Sequence, residues 1–167
     1  VGWFIAPPYI ATFAPDLTDQ QTLRFTPNPS GDYDVDVAPF QFEAELGEMV
    51  QVNFWDAKRN HQVEFPFPFY GKTYTDLYVS NAGAITFGEP YWAPNMQAAT
   101  ARTPAIFPLL IELDTRPKPG DGGVYVRETP DRLVVTWYHV PGLYQPQALN
   151  QPEAIYTFQA VLYANGT

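Results

Sequence analysis

The 167-residue chain has no cysteine. Disulfides, thiolate-held metals, iron–sulfur clusters and thiol catalysis are therefore excluded. Charge is scarce: only 16% of residues are Asp, Glu, Lys or Arg, against about 25% in an average globular chain. Basic charge is scarcer still, with 9 Lys and Arg facing 18 Asp and Glu, for a net charge of −9. Phosphate backbones and anionic headgroups both require cations, so neither nucleic acid nor an anionic membrane is an expected partner. No apolar run approaches the ~20 residues that span a bilayer. The opening VGWFIAPPYIATFAP is apolar, but Pro7 and Pro8 break it and it carries no basic residue. It does not read as a signal peptide, and the leader of an exported protein would have to lie elsewhere.

Helix-forming sequence is also in short supply. Eighteen prolines are scattered over the whole length. Proline breaks helix interiors and is confined to edges, turns and bulges in sheets, which excludes a helical bundle. One window, Ala93 to Ala105, has helical character, with Asn95 as a cap and Pro104 as a stop; it predicts one or two turns and no more.

What the chain has is aromatic and β-branched residues in short runs of period two. EMVQVNFW (48–55) alternates. TDLYVSN and GAITFG are two strand pieces meeting at Asn81-Ala82-Gly83, a turn or bulge. GGVYVRE and RLVVTWYHV form a hairpin around Thr129-Pro130-Asp131, and the second of these is apolar on both faces, as a covered central strand would be. AIYTFQAVLYANG makes a last long strand. Aromatics make up 16% of the chain and hydrophobic residues 46%, enough for one core in a chain of this length. The expected fold is all-β: one antiparallel β-sandwich with Pro/Gly-rich loops. Residues 1–60 form acidic N-terminal strands and loops, and residues 60–167 form the core.

The order of these pieces resembles the nidogen-like (NIDO-type) extracellular β-sandwich domains, and above all their bacterial relatives in secreted and surface proteins. The resemblance is carried by FPFPFYGKTYTDLYVSNAGAITFG (65–88), PAIFPLLIELDT (104–115), Gly122-Gly123-Val124-Tyr125, RLVVTWYHVP (132–141) and YTFQAVLYANGT (156–167). The chain departs from the pattern at Asn81-Ala82-Gly83, where Asn-Gly is usual, and at Leu110-Ile111-Glu112-Leu113-Asp114, where an aromatic-acidic run is usual. A further strand usually follows the segment matching Asn165-Gly166-Thr167, so a following segment or a neighbouring chain is expected to supply it. The resemblance implies a non-enzymatic structural or adhesive role outside the cell or at its surface, with other protein domains or copies of itself as partners. It carries no catalytic residues.

Acidic residues cluster early. Asp16, Asp19, Asp32, Asp34, Asp36, Glu43, Glu45 and Glu48 face a single base, Arg24. Asp32, Asp34 and Asp36 share one side of a strand whose other side is Tyr33, Val35 and Val37. Calcium is the one cofactor that the acids suggest, with Glu112, Asp114 and Asp121 around a Pro/Gly-rich loop as candidate ligands. The competing reading is an aspartate capping its own loop. Glu89, Glu112 and Asp114 are the carboxylates that a small glycoside hydrolase would need, and a sandwich of this size rarely holds the necessary cleft. The two histidines, His61 and His139, have no converging partners in the nearby sequence and read as structural or surface residues. A carbohydrate-binding alternative rests on loop aromatics: Tyr91 and Trp92 in one loop, Tyr144 beside Gln145 in another. The sequon Asn165-Gly166-Thr167 reads as a turn.

Overall fold

A computed structural model describes residues 2–6, 9–13, 20–52, 61–90, 103–116, 122–143 and 154–167, with the first two stretches as backbone only. The strands are β1 (Gly2–Ala6), β2 (Tyr9–Phe13), β3 (Thr22–Pro27), β4 (Tyr33–Ala38), β5 (Glu48–Val50), β6 (His61–Phe69), β7 (Lys72–Val79), β8 (Ile85–Phe87), β9 (Ala105–Phe107), β10 (Gly123–Glu128), β11 (Arg132–Pro141) and β12 (Ile155–Tyr163). They build a six-stranded sheet in the order β2-β1-β9-β8-β7-β6, a four-stranded sheet in the order β12-β11-β10-β5, and a separate β3-β4 hairpin. All pairings are antiparallel. No helix occurs among the described residues. The helical window at 93–105 lies outside them except for its last residues, and Ala105 opens a strand.

The sandwich follows from alternation. In β6, Val63, Phe65, Phe67 and Phe69 are buried while Gln62, Glu64 and Pro66 are exposed. The two-residue period puts one set of side chains on the core face. Phe87 of β8 stacks on Phe69 at 4.5 Å and on Phe67 at 5.6 Å. Each fully buried ring contributes about 2 kcal/mol. The opposing layer supplies Val124, Leu133, Val135, Trp137, Val140 and Leu162 to the same cluster. β11 is central in its sheet, and Leu133, Val134, Val135, Thr136 and Trp137 are all fully buried. This is the two-faced burial that its sequence predicts.

The Pro-rich β6 lies at the edge of its sheet, as proline in a strand requires. A register irregularity between Glu64 and Phe67 bends it further out of pairing. Tyr70 and Gly71 make the β6–β7 turn, both with positive φ (45° and 75°), the conformation that two-residue hairpins favour. EMVQVNFW is only partly strand: β5 ends at Val50, Val52 is buried, and its carbonyl accepts a bond from Thr115 Oγ1 at 2.8 Å. Residues 53–55 lie outside the described set.

Part of the second face of the four-stranded sheet is covered by a strap, residues 39–47, leading from β4 to β5. Glu43 exchanges two bonds with the Gln159 side chain on β12, accepting at its carbonyl (3.2 Å) and donating from its N–H (2.9 Å). Gln159 also donates to Thr136 Oγ1 at 2.8 Å. The Glu43 carboxylate pairs with Arg127 on β10 and, at 2.8 Å, with Arg132 on β11. Gly47 lies so close to the Val126 carbonyl that a Cβ would collide with it.

Candidate functional site

The stretch Ser80-Asn81-Ala82-Gly83-Ala84 is the most constrained part of the described chain. Ser80 and Ala84 are fully buried, and Asn81 and Ala82 nearly so. A buried turn must satisfy its own polar groups, and this one does so through its neighbours. Ser80 N–H donates to the Ala84 carbonyl at 3.0 Å. The Asn81 side chain donates to the Leu113 carbonyl at 3.3 Å, while Leu113 N–H donates to the Asn81 carbonyl at 3.1 Å. The Ser80 carbonyl takes the indole N–H of Trp137. Gly83 has φ +65°, and a Cβ there would overlap the Leu109 carbonyl oxygen. The turn is a latch between the layers.

Asp114 and Glu112 sit where the 109–116 segment meets the end of β11. Leu113 and Gly142 form an isolated bridge. Asp114 N–H donates to the Pro141 carbonyl at 2.8 Å, and Leu143 N–H donates to the Glu112 carbonyl at 2.8 Å. The nearly buried Asp114 carboxylate receives Arg116 Nε at 2.7 Å, Arg116 NH2 at 2.5 Å and the Arg116 backbone N–H at 3.2 Å. These bonds raise the already high pKa of the Arg116 guanidinium. The carboxylate is engaged by its own loop, and a cation there would displace a bidentate guanidinium. Asp121, the third candidate calcium ligand, lies outside the described residues. No group of three or more potential metal-ligating side chains occurs among the described residues.

Glu89, the other carboxylate candidate, is exposed just beyond β8, and its carbonyl accepts Thr86 Oγ1 at 2.6 Å. The aromatic loop candidates Tyr91, Trp92 and Tyr144, with Gln145, lie outside the described residues. On β4, Asp34 accepts Asn28 Nδ2 at 3.0 Å, and Asn28 Oδ1 in turn accepts the N–H groups of Ser30 and Asp32. These groups close the β3–β4 turn, so part of the acidic stripe serves the hairpin.

His61 opens β6 opposite Val79. Burial holds its imidazole below the ordinary 6.5, against an upward pull from Glu48. Burial beside Tyr70 pushes the Tyr33 hydroxyl up to about 12, and this hydroxyl donates to the Pro68 carbonyl at 3.3 Å.

His139 is the residue whose backbone the sequence did not foresee. It stands at a register shift in the β11–β12 ladder between Trp137 and Val140, with φ +51°. Its ring stacks on Tyr138 at 4.1 Å with 9° between planes. Tyr125 meets Tyr138 edge-on at 6.4 Å. The signal in the sequence was a histidine at a position that alternation assigns to the core, followed by a valine that takes that place instead.

No curated protein and no solved structure shows significant similarity to the chain. A family model described as NIDO related matches residues 32–167, the span that holds β4 to β12, the latch and the strap. That covers most of the chain, which therefore belongs to the NIDO-related family as a nidogen-like, extracellular-type β-sandwich domain.

Proposed function

We propose that the chain is a non-catalytic structural and adhesive module of a larger secreted or surface protein, of bacterial origin, that joins a neighbour by strand addition. The observation that carries this reading is the outer edge of β12. Ala164 N–H donates to the Asp131 carbonyl, and Arg132 pairs with Tyr163 next to it. Hydrogen-bonded pairs alternate along an antiparallel ladder. Leu162, Ala160 and Phe158 therefore direct their backbone groups at β11, and Val161 and Gln159 direct theirs away from it. Among the described residues no strand lies on that side.

Two other edges are guarded. β6 has two prolines and an irregular register, and β5 is three residues long. β12 has nine residues, none charged and none proline. Its Ile155 is 61% exposed. The turn after it already reverses the chain: Gly166 has φ +91°, and Tyr163 N–H donates to the Thr167 carbonyl at 2.9 Å. A strand, from a following segment or from a second copy, has its first rung in place.

The test is light scattering of the chain across a concentration series, beside Val161→Pro. Proline at 161 removes an outward N–H and leaves the β11 ladder intact. Concentration-dependent assembly that Val161→Pro abolishes supports the reading. A strict monomer at every concentration, or assembly indifferent to the substitution, overturns it.

A further inference from the structure

We propose that Tyr125, Tyr138 and His139 form a binding platform for a neutral carbohydrate on the outer face of the four-stranded sheet. The argument begins with β11. Leu133, Val135 and Trp137 face the core, so regular alternation would send residue 139 inward as well. Val140 takes that place instead, 1% exposed, and the register with β12 shifts. His139 is the extra residue of a β-bulge, a device that re-aims a side chain. Its φ of +51° lies in the left-handed region, uncommon for a non-glycine residue though histidine, with Asn and Asp, is enriched there.

The bulge is held from two sides. His139 N–H donates to Thr157 Oγ1 at 3.0 Å. Gly122 lies against the Tyr138 and His139 carbonyls so closely that no Cβ fits. The bulge seats Val140 in the core and leaves His139 exposed. What the bulge achieves is an exposed imidazole stacked face to face on the half-buried Tyr138 ring, with Tyr125 edge-on to Tyr138 and Met49, 61% exposed, opposite Tyr125 in the ladder. Strained residues that surrounding structure over-determines cluster at binding sites.

The ligand class follows from the chemistry of the surface. A ring face attracts the partly positive C–H face of a sugar, and the phenol hydroxyls and imidazole nitrogens at its rim exchange hydrogen bonds with sugar hydroxyls. Among the described residues, the cations near this face, Arg127 and Arg132, pair with Glu43, Glu45 and Asp131. With a net charge of −9, the described surface favours a neutral ligand over an anionic one. This surface is distinct from the β12 edge.

The experiment uses proton NMR of the two histidines, identified with His61→Gln and His139→Asn. Neutral oligosaccharides of glucose, xylose, mannose and N-acetylglucosamine are added one at a time to about 10 mM, the range of weak single-site binding. The expected result is that at least one moves the His139 signal and leaves His61 unmoved. His139→Asn keeps the left-handed backbone and removes the ring. With Tyr138→Ser, it is expected to weaken that sugar's calorimetric affinity by about tenfold or more, with the His139→Asn melt unchanged. Failure of every sugar to move His139 overturns the proposal. So does binding that survives both substitutions, or a His139 shift produced only by charged ligands or by a protein.

Discussion

The indole N–H of Trp137 donates to the Ser80 carbonyl across 3.0 Å, joining the central strand of one sheet to the β7–β8 turn of the other. Its ring also stacks on Phe158 at 4.8 Å. Trp137→Phe keeps the stack, leaves the Ser80 carbonyl without its donor and opens a void. The expected loss is about 2–4 kcal/mol, read as a lower urea midpoint with an unchanged slope.

Two glycines with positive φ separate conformation from space. At Gly31 (φ +87°) an added Cβ meets nothing within 4 Å, whereas at Gly83 (φ +65°) it overlaps the Leu109 carbonyl. Gly31→Ala is expected to cost about 1 kcal/mol, the left-handed penalty alone. Gly83→Ala is expected to cost well over about 2 kcal/mol. A thermal melt of the pair checks the order, and equal melting points would refute the latch.

The Glu43 carboxylate serves two guanidiniums at once. Glu43→Gln removes the carboxylate that Arg127 and Arg132 share and leaves them only the exposed Glu45 and Asp131. The expected loss is about 1–3 kcal/mol, together with faster amide exchange under the strap at Thr136. Loss of stability without faster exchange would mean that the strap stays seated for other reasons.

His61 makes the fold acid-sensitive. Its folded pKa lies below the ordinary 6.5, so between the two values the unfolded chain binds more protons. Stability therefore falls as pH drops through about 6.5 and levels off below the folded value. Melting temperatures at about pH 7.5 and 5.5 are expected to differ in the parent chain and to converge in His61→Gln. An unchanged pH slope in the variant would assign the sensitivity to carboxylates.

Much of the sandwich was legible because it is local. The Pro66 and Pro68 pair marked an edge, two-faced burial marked β11 as central, and Thr129-Pro130-Asp131 marked a hairpin whose Thr129 N–H does bond the Arg132 carbonyl. The strap was not legible. Glu43 looked like one more acid in an acidic run, and its meaning depends on Gln159, 116 residues later. Asp114 read as a candidate calcium ligand because Arg116, two positions on, gives no sequence sign that it folds back onto it. His139 was dismissed for want of neighbours, since a bulge changes facing without changing composition.

The strap also dictates the order in which the molecule is completed. Residues 39–47 are synthesised well before the strands that hold them: Arg127 on β10 lies 84 residues after Glu43, Arg132 on β11 lies 89 and Gln159 on β12 lies 116. Such distant closure delays folding. The strap's seat is incomplete until β12 arrives, so the early acidic segment locks late.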